Sequence, residues 1–527
     1  MKLKPIQHFT EKLFNPRDIT SLVIFRIAFG VIMLWEVVRY VNQGRIERYY
    51  INANYTFTYD FFEWIQPWGS NGMHIHFYLL GILSIFMIIG LFYRVTAFLI
   101  FVLFTYIFLL EEANYLNHFY LVSLISFLMI WVPAHRKYSI DAKIWKKIKS
   151  NQIPAWPYYL LQFQMGVAYF FGGLAKLNYD WVFRAEPMQH WLSYRTDFPF
   201  IGKFFDEEWM TYAMSWSGLL IDILAPFLLL NRKTRPFMFL VLVTFHLMND
   251  RLFSIGIFPW FGIIATTIFF PSDYFEQLLT AAKSLKNGRI MLASAFLFAY
   301  IGMYFHQDVE FVPFAVSFVV GAIVAWLFID LYQNKNTVKN EANIYFKPSK
   351  SGQIALVAFL SFWFIFQVVV PLRHYFIPGN VSWTEEGHRF SWHMKLRSKS
   401  GDILFYAYDP QTEEYRELST EPFLTDRQYS KMSTRPYMIL EFSKFLKQQL
   451  IDDGIGTFEI RVISYASYNY RPRQQFVRSD IDISAQSYSD FKHNYWILPL
   501  DPDLKPVSVF GSDSTGDSDP DEDEMDE

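Results

Sequence analysis

The chain has 527 residues, 52% of them hydrophobic and 20% aromatic, and carries a net charge of −3. The apolar residues stand in long blocks, the arrangement of a multi-pass membrane protein and not of a large soluble core. The near-neutral balance leaves no electrostatic footprint for nucleic acid, and the lack of cysteine excludes disulfides, thiolate nucleophiles and cysteine metal sites.

Residues 1–18 are polar and mildly basic, and the apolar run after them is too long for a cleaved signal, so it reads as a retained first span on a cytoplasmic N-terminus. Apolar stretches follow at 19–41, 75–93, 95–110, 118–133, 157–177, 213–230, 237–249, 253–270, 290–306, 312–331 and 354–371. A bilayer takes ~20 apolar residues per helix, with tolerance for tilt, so residues 19–371 are expected to form a polytopic helical domain of about eleven helices. Basic clusters follow the fourth span (Arg136, Lys137, Lys143, Lys146, Lys147, Lys149), the sixth (Arg232, Lys233, Arg235), the eighth (Lys283, Lys286, Arg289) and the tenth (Lys335, Lys339, Lys347, Lys350). Alternate loops are acidic or mixed, with Glu111 and Glu112, then Asp206 to Glu208, then Asp308 and Glu310. By the positive-inside rule the N-terminus is cytoplasmic and everything after Pro371 lies on the outer face. That outer region, 372–510, has strand-like runs at 389–396, 403–408 and 457–465, and reads as an extramembrane, β-rich, sandwich-like domain. The tail, 511–527, is rich in Asp and Glu and reads as disordered.

The topology turns sequence into depth. The fifth span runs outward and ends on Lys176; the fourth opens from the outer side with Asn117 and His118; the seventh places His246 and Asn249 near its outer end. A lysine at a helix end also snorkels to headgroups, and a histidine in a helix also serves as hydrogen-bonded structure. Their convergence at one depth favours general-base chemistry, because desolvation disfavours a charged amine. Asp222, Arg26 and Glu36 lie inside spans, where an ionised group needs a partner. No metal-ligand spacing, Gly-x-Ser-x-Gly, P-loop or dinucleotide fingerprint is present.

These residues carry a resemblance. Phe-Gly-Gly-Leu-Ala-Lys-Leu-Asn-Tyr-Asp-Trp at 171–181 resembles the active-site lysine segment of vitamin K-dependent γ-glutamyl carboxylases, whose membrane part is an HTTM-type domain. The segment Phe-His-Leu-Met-Asn-Asp-Arg-Leu-Phe-Ser-Ile-Gly-Ile-Phe at 245–258 resembles a second segment of that family, the Asn117-His118 pair a third, and Trp383 to Met394 the start of its luminal domain. The resemblance implies Lys176 as the base that deprotonates a reduced vitamin K, a hydroquinone such as menaquinol, with His118 assisting and Asn117, His246, Asn249 and Trp181 lining the quinol pocket. Oxidation by O2 then yields the epoxide and drives CO2 addition to a glutamate-containing polypeptide, without a metal. Trp383, Arg389 and Trp392 are the expected peptide-binding wall. Two alternatives stay open: a quinol oxidase of this fold that carboxylates nothing, and a non-enzymatic protein in which Lys176 grips a lipid headgroup.

Overall fold

The computed structural model describes residues 10–306, 310–332 and 348–510; Asp308, Lys335, Lys339, Lys347 and the acidic tail lie outside the described residues. The larger helices of the first part are α1 (Thr20–Asn42), α2 (Ser70–Ile89), α3 (Tyr93–Leu109), α4 (Asn117–Trp131), α5 (Trp156–Ala175), α6 (Glu208–Leu230), α7 (Arg235–Phe253), α8 (Phe258–Thr266), α9 (Ser272–Lys283), α10 (Leu285–His306), α11 (Phe311–Tyr332) and α12 (Lys350–Leu372). Their ends carry local signals: Pro157 opens α5, and Gly90, at φ 65°, closes α2 in the left-handed conformation.

Every apolar stretch of the sequence falls on a helix, and among the described residues six helices are long and apolar enough to cross a membrane: α1, α2, α6, α7, α10 and α12. The expected span at 253–270 is corrected. Its helix α8 has 9 residues, about 13 Å at 1.5 Å per residue, against a hydrocarbon thickness of ~30 Å. The buried charges inside α1 have partners. Buried Arg26 donates to the carbonyls of Ala134, Ile88 and Tyr138, and Glu36 pairs with Arg39 at 2.9 Å. A short ladder of β1 (Pro16–Asp18) and β2 (Gln152–Pro154) ties the start of α1 to the chain entering α5.

The C-terminal part is α+β. Strands β3 (Lys399–Tyr408), β4 (Tyr415–Leu418), β5 (Glu459–Tyr468) and β6 (Gln474–Gln475) form one antiparallel sheet in the order β4-β3-β5-β6. Alternation puts Ile403, Phe405 and Ala407 of β3, with Ile460 and Val462 of β5, on one buried face. Helices α13 (Asp426–Ser433) and α14 (Pro436–Asp452) join that core through Met432, Met438 and Phe442. A single sheet with helices thus stands where a sandwich was expected. The run 389–396 forms turns instead of a strand, because Phe390, Trp392 and Lys395 take φ of 61°, 62° and 44°, left-handed values that a strand does not contain.

The two parts are joined by polar contacts in buried surroundings. Arg471 forms an ion pair with Asp180, with contacts of 2.7 and 2.8 Å, and Asn469 donates to the same carboxylate at 3.1 Å. Asn117 donates to the carbonyl of His393 at 2.9 Å and Phe390 N–H donates to Tyr115 Oη at 2.8 Å. The last two bonds lay the 385–396 segment across the start of α4.

Candidate functional site

The site begins with Gly172 and Gly173 near the end of α5. A β-carbon at Gly173 would meet Ile223 N at 2.7 Å and one at Gly172 would meet Met394 Cε at 2.9 Å. With neither present, α6 and the 385–396 segment close onto α5. That approach brings Asp222 to Lys176, Nζ to Oδ2 2.7 Å, with side chains 7% and 5% exposed. Lys176 folds back along its helix, also donating to Gly172 O at 3.3 Å, and lies over the Trp181 ring at 5.5 Å. Trp181 is fixed by its indole N–H on Ser215 O, 2.8 Å away.

Lys176 and Asp222 stand in the wall of an apolar cavity of about 380 Å³ between α5, α6 and α7, with Tyr169, Trp181, His246 and Asn249 also in the lining. Ser217 of α6 and Thr244 of α7 line it and are themselves exposed, so the cavity opens sideways between these two helices. His246 is 1% exposed and its Nε2 lies 2.8 Å from Tyr169 Oη. A second, smaller cavity of about 70 Å³ adjoins it, lined by Asn117, His118, His393, four basic side chains (Arg389, Lys395, Arg397, Arg435) and one carboxylate, Glu385. Ile255, Phe258, Met394 and Lys395 line both cavities. Phe258 is the partition, its ring 5.7 Å from that of His118 and 5.9 Å from that of His246. Burial holds the His393 imidazole well below its usual range, helped by the nearby His388, His374 and Arg397.

An apolar cavity of this size, with a paired amine in its wall and an opening between two apolar helices, fits an apolar ligand with a polar group; the neighbouring basic cavity fits an anion. Two family models match the chain: the HTTM domain over residues 14–274 and the lumenal domain of the vitamin K-dependent gamma-carboxylase over residues 352–503. The chain belongs to the vitamin K-dependent γ-carboxylase family. No solved structure matches it.

In this chain the HTTM match contains Lys176, Asp222, His118 and His246, and the lumenal match supplies the segment that closes over them. Of the residues singled out in the sequence, Lys176, Trp181, His246 and Asn249 meet in the apolar cavity, while Asn117, His118 and Arg389 meet in the basic one. Trp383 and Trp392 line neither. Trp383 is wholly enclosed, its indole on Leu498 O at 2.8 Å, and Trp392 packs on Tyr120 at 5.0 Å. Arg389 is already engaged: it pairs with Glu112, lies 3.7 Å from Asp490 and covers the Tyr437 ring at 4.0 Å. Sequence reasoning left Asp222 without its partner and passed over Tyr169 and Lys395. Tyr169 carried a signal, since seven residues before Lys176 is two turns along one helix face.

Proposed function

We propose that this carboxylase-family protein oxidises a reduced naphthoquinone with O2 and couples that oxidation to CO2 addition at the γ-carbon of protein glutamate. The observation that carries the reading is the Lys176–Asp222 pair in the wall of an apolar cavity that opens sideways between two helices. A quinol with a prenyl tail enters there from lipid, and its ring packs among Trp181, His246 and Asn249. The pair is neutral overall whether its proton sits on the amine or on the carboxylate. With the proton on Asp222, Lys176 has a lone pair for a quinol hydroxyl; after the transfer the Lys176 ammonium pairs with the quinolate it has made, while the carboxyl of Asp222, 2.7 Å away, keeps its proton and its contact with the amine. The oxidised quinol supplies the strong base that removes the γ-proton. The basic cavity holds the glutamyl side chain, and Met394 and Phe258 keep water from the junction. His118 and Asn117 face that junction and orient the acidic side chain. The N-terminus is cytoplasmic, residues 19–371 form the membrane domain and residues 372–510 the outer one.

The ion pairs of Arg389 favour a second reading, quinol oxidation without carboxylation, because a guanidinium already paired with Glu112 is a poor receptor for a peptide carboxylate. The base itself is tested with purified protein, reduced naphthoquinone and O2. Wild type forms epoxide; Lys176→Ala and Lys176→Arg lose it by a factor of ~10²–10⁴, since Arg provides no neutral form. Epoxide formation by Lys176→Arg at the wild-type rate contradicts the proposal and leaves a protein in which position 176 supplies charge only.

A further inference from the structure

Tyr169 and Lys176 occupy the same wall of the apolar cavity. Because the lysine folds back to Gly172 O at 3.3 Å, its amine sits about one turn from Tyr169 along α5. Tyr169 is 5% exposed, and its Oη is 2.8 Å from His246 Nε2. The imidazole is seated tightly, since a β-carbon at Gly262 on α8 would run into it. His246 Nδ1 has no hydrogen-bond partner among the described residues. A phenol both donates and accepts. If His246 donates from Nε2, the Tyr169 hydroxyl proton is free for the cavity; if Tyr169 donates, its lone pairs are free. In either tautomer Oη keeps one hydrogen bond for a ligand.

The geometry points to a two-ended seat, in which Lys176 engages one oxygen of a quinol ring and Tyr169, oriented by His246, engages the oxygen on the opposite side. This rests on the reading that the cavity takes a reduced naphthoquinone, and it assigns Tyr169 as a second ligand-contacting residue and His246 as its positioning residue. The seat selects for a ring with two oxygens across from each other, so a matching compound with one oxygen binds with one hydrogen bond fewer.

The test is equilibrium binding under anaerobic conditions, read from quenching of the protein's tryptophan fluorescence, with two probes: a methylnaphthoquinol and the corresponding methylnaphthol, which lacks the second oxygen. Wild type is expected to prefer the quinol about tenfold, the upper range of one hydrogen bond. Tyr169→Phe, which removes only the hydroxyl, brings the two probes to within about twofold by weakening the quinol alone. His246→Ala shifts the preference in the same direction. A Tyr169→Phe variant that keeps the full preference, or that weakens both probes equally, overturns the two-ended seat while leaving the quinol reading intact. Failure of wild type to bind either probe overturns the quinol reading, and the seat with it.

Discussion

The Lys176–Asp222 pair makes a thermodynamic prediction independent of any ligand. Each partner is nearly sealed, 7% and 5% exposed, with 2.7 Å between Nζ and Oδ2. Asp222→Leu leaves an ammonium with no anion beside it, and Lys176→Met leaves a carboxylate with no cation. Breaking one side of such a buried pair costs about 3–5 kcal/mol. At about 2 °C per kcal/mol for a chain of this size, each single variant should melt about 6–10 °C below wild type. Replacing both charges together removes the stranded ion, and apolar replacements of buried pairs are often near neutral. The double variant Lys176→Met/Asp222→Leu should therefore recover most of either loss. Apparent melting temperatures of the four purified proteins in one detergent complete the cycle. A double variant that melts lower than either single one, by the sum of their shifts, would refute the ion pair and with it the proton-sharing account of Lys176.

Other expectations follow from the same contacts. Asp180→Asn weakens the clasp on Arg471 that joins the two parts of the chain; limited proteolysis should release the 372–510 region from the variant sooner, and unchanged cleavage would contradict the clasp. Burial raises the Glu111 carboxyl to about 8, while its bonds from Ala113 N–H and Gln428 lower it in part. A folded value above the unfolded one means the native state binds more protons between about pH 4.5 and 8, so this group's contribution to stability falls as pH rises through that window. Glu111→Gln should flatten the pH dependence of melting there, and an unchanged slope would remove Glu111 as its source. Single cysteines at exposed Ser400 and Lys146 test orientation in intact cells: a membrane-impermeant maleimide should label the first and spare the second, and the reverse pattern would invert the topology.

Helix positions were legible because blocks of apolar residues have few other ways to satisfy a backbone in lipid. Span number was less legible. The run 253–270 is apolar throughout, yet Ser254 at φ 48° and Gly256 at φ 59° break it before α8, and hydrophobicity alone does not reveal a left-handed pair. In the C-terminal part, β3 and β5 followed from alternation, whereas α14 was hidden by a single apolar face; Pro436 and the capping box at Thr425 and Gln428 mark the two helix starts. The run 389–396 looked extended because aromatic residues favour strands. Tertiary contacts hold it in turns instead, since Tyr115 and Asn117 bond its backbone. At the site, depth grouped Lys176, His246 and Asn249 with Asn117 and His118, but neither the Asp222 contact nor the division by Phe258 that sends Asn117 and His118 to the second cavity follows from spacing within any one helix.

The central claim is that quinol oxidation at Lys176 is coupled to carboxylation in the adjoining basic cavity. Purified protein should be given reduced naphthoquinone, O2, isotope-labelled CO2 and a glutamate-rich peptide library, with epoxide and peptide-bound label measured together. The account predicts that label and epoxide appear together, that peptide stimulates epoxide formation, and that Lys176→Ala abolishes both. Epoxide that forms at the same rate with and without peptide, with no label in any peptide, would contradict it.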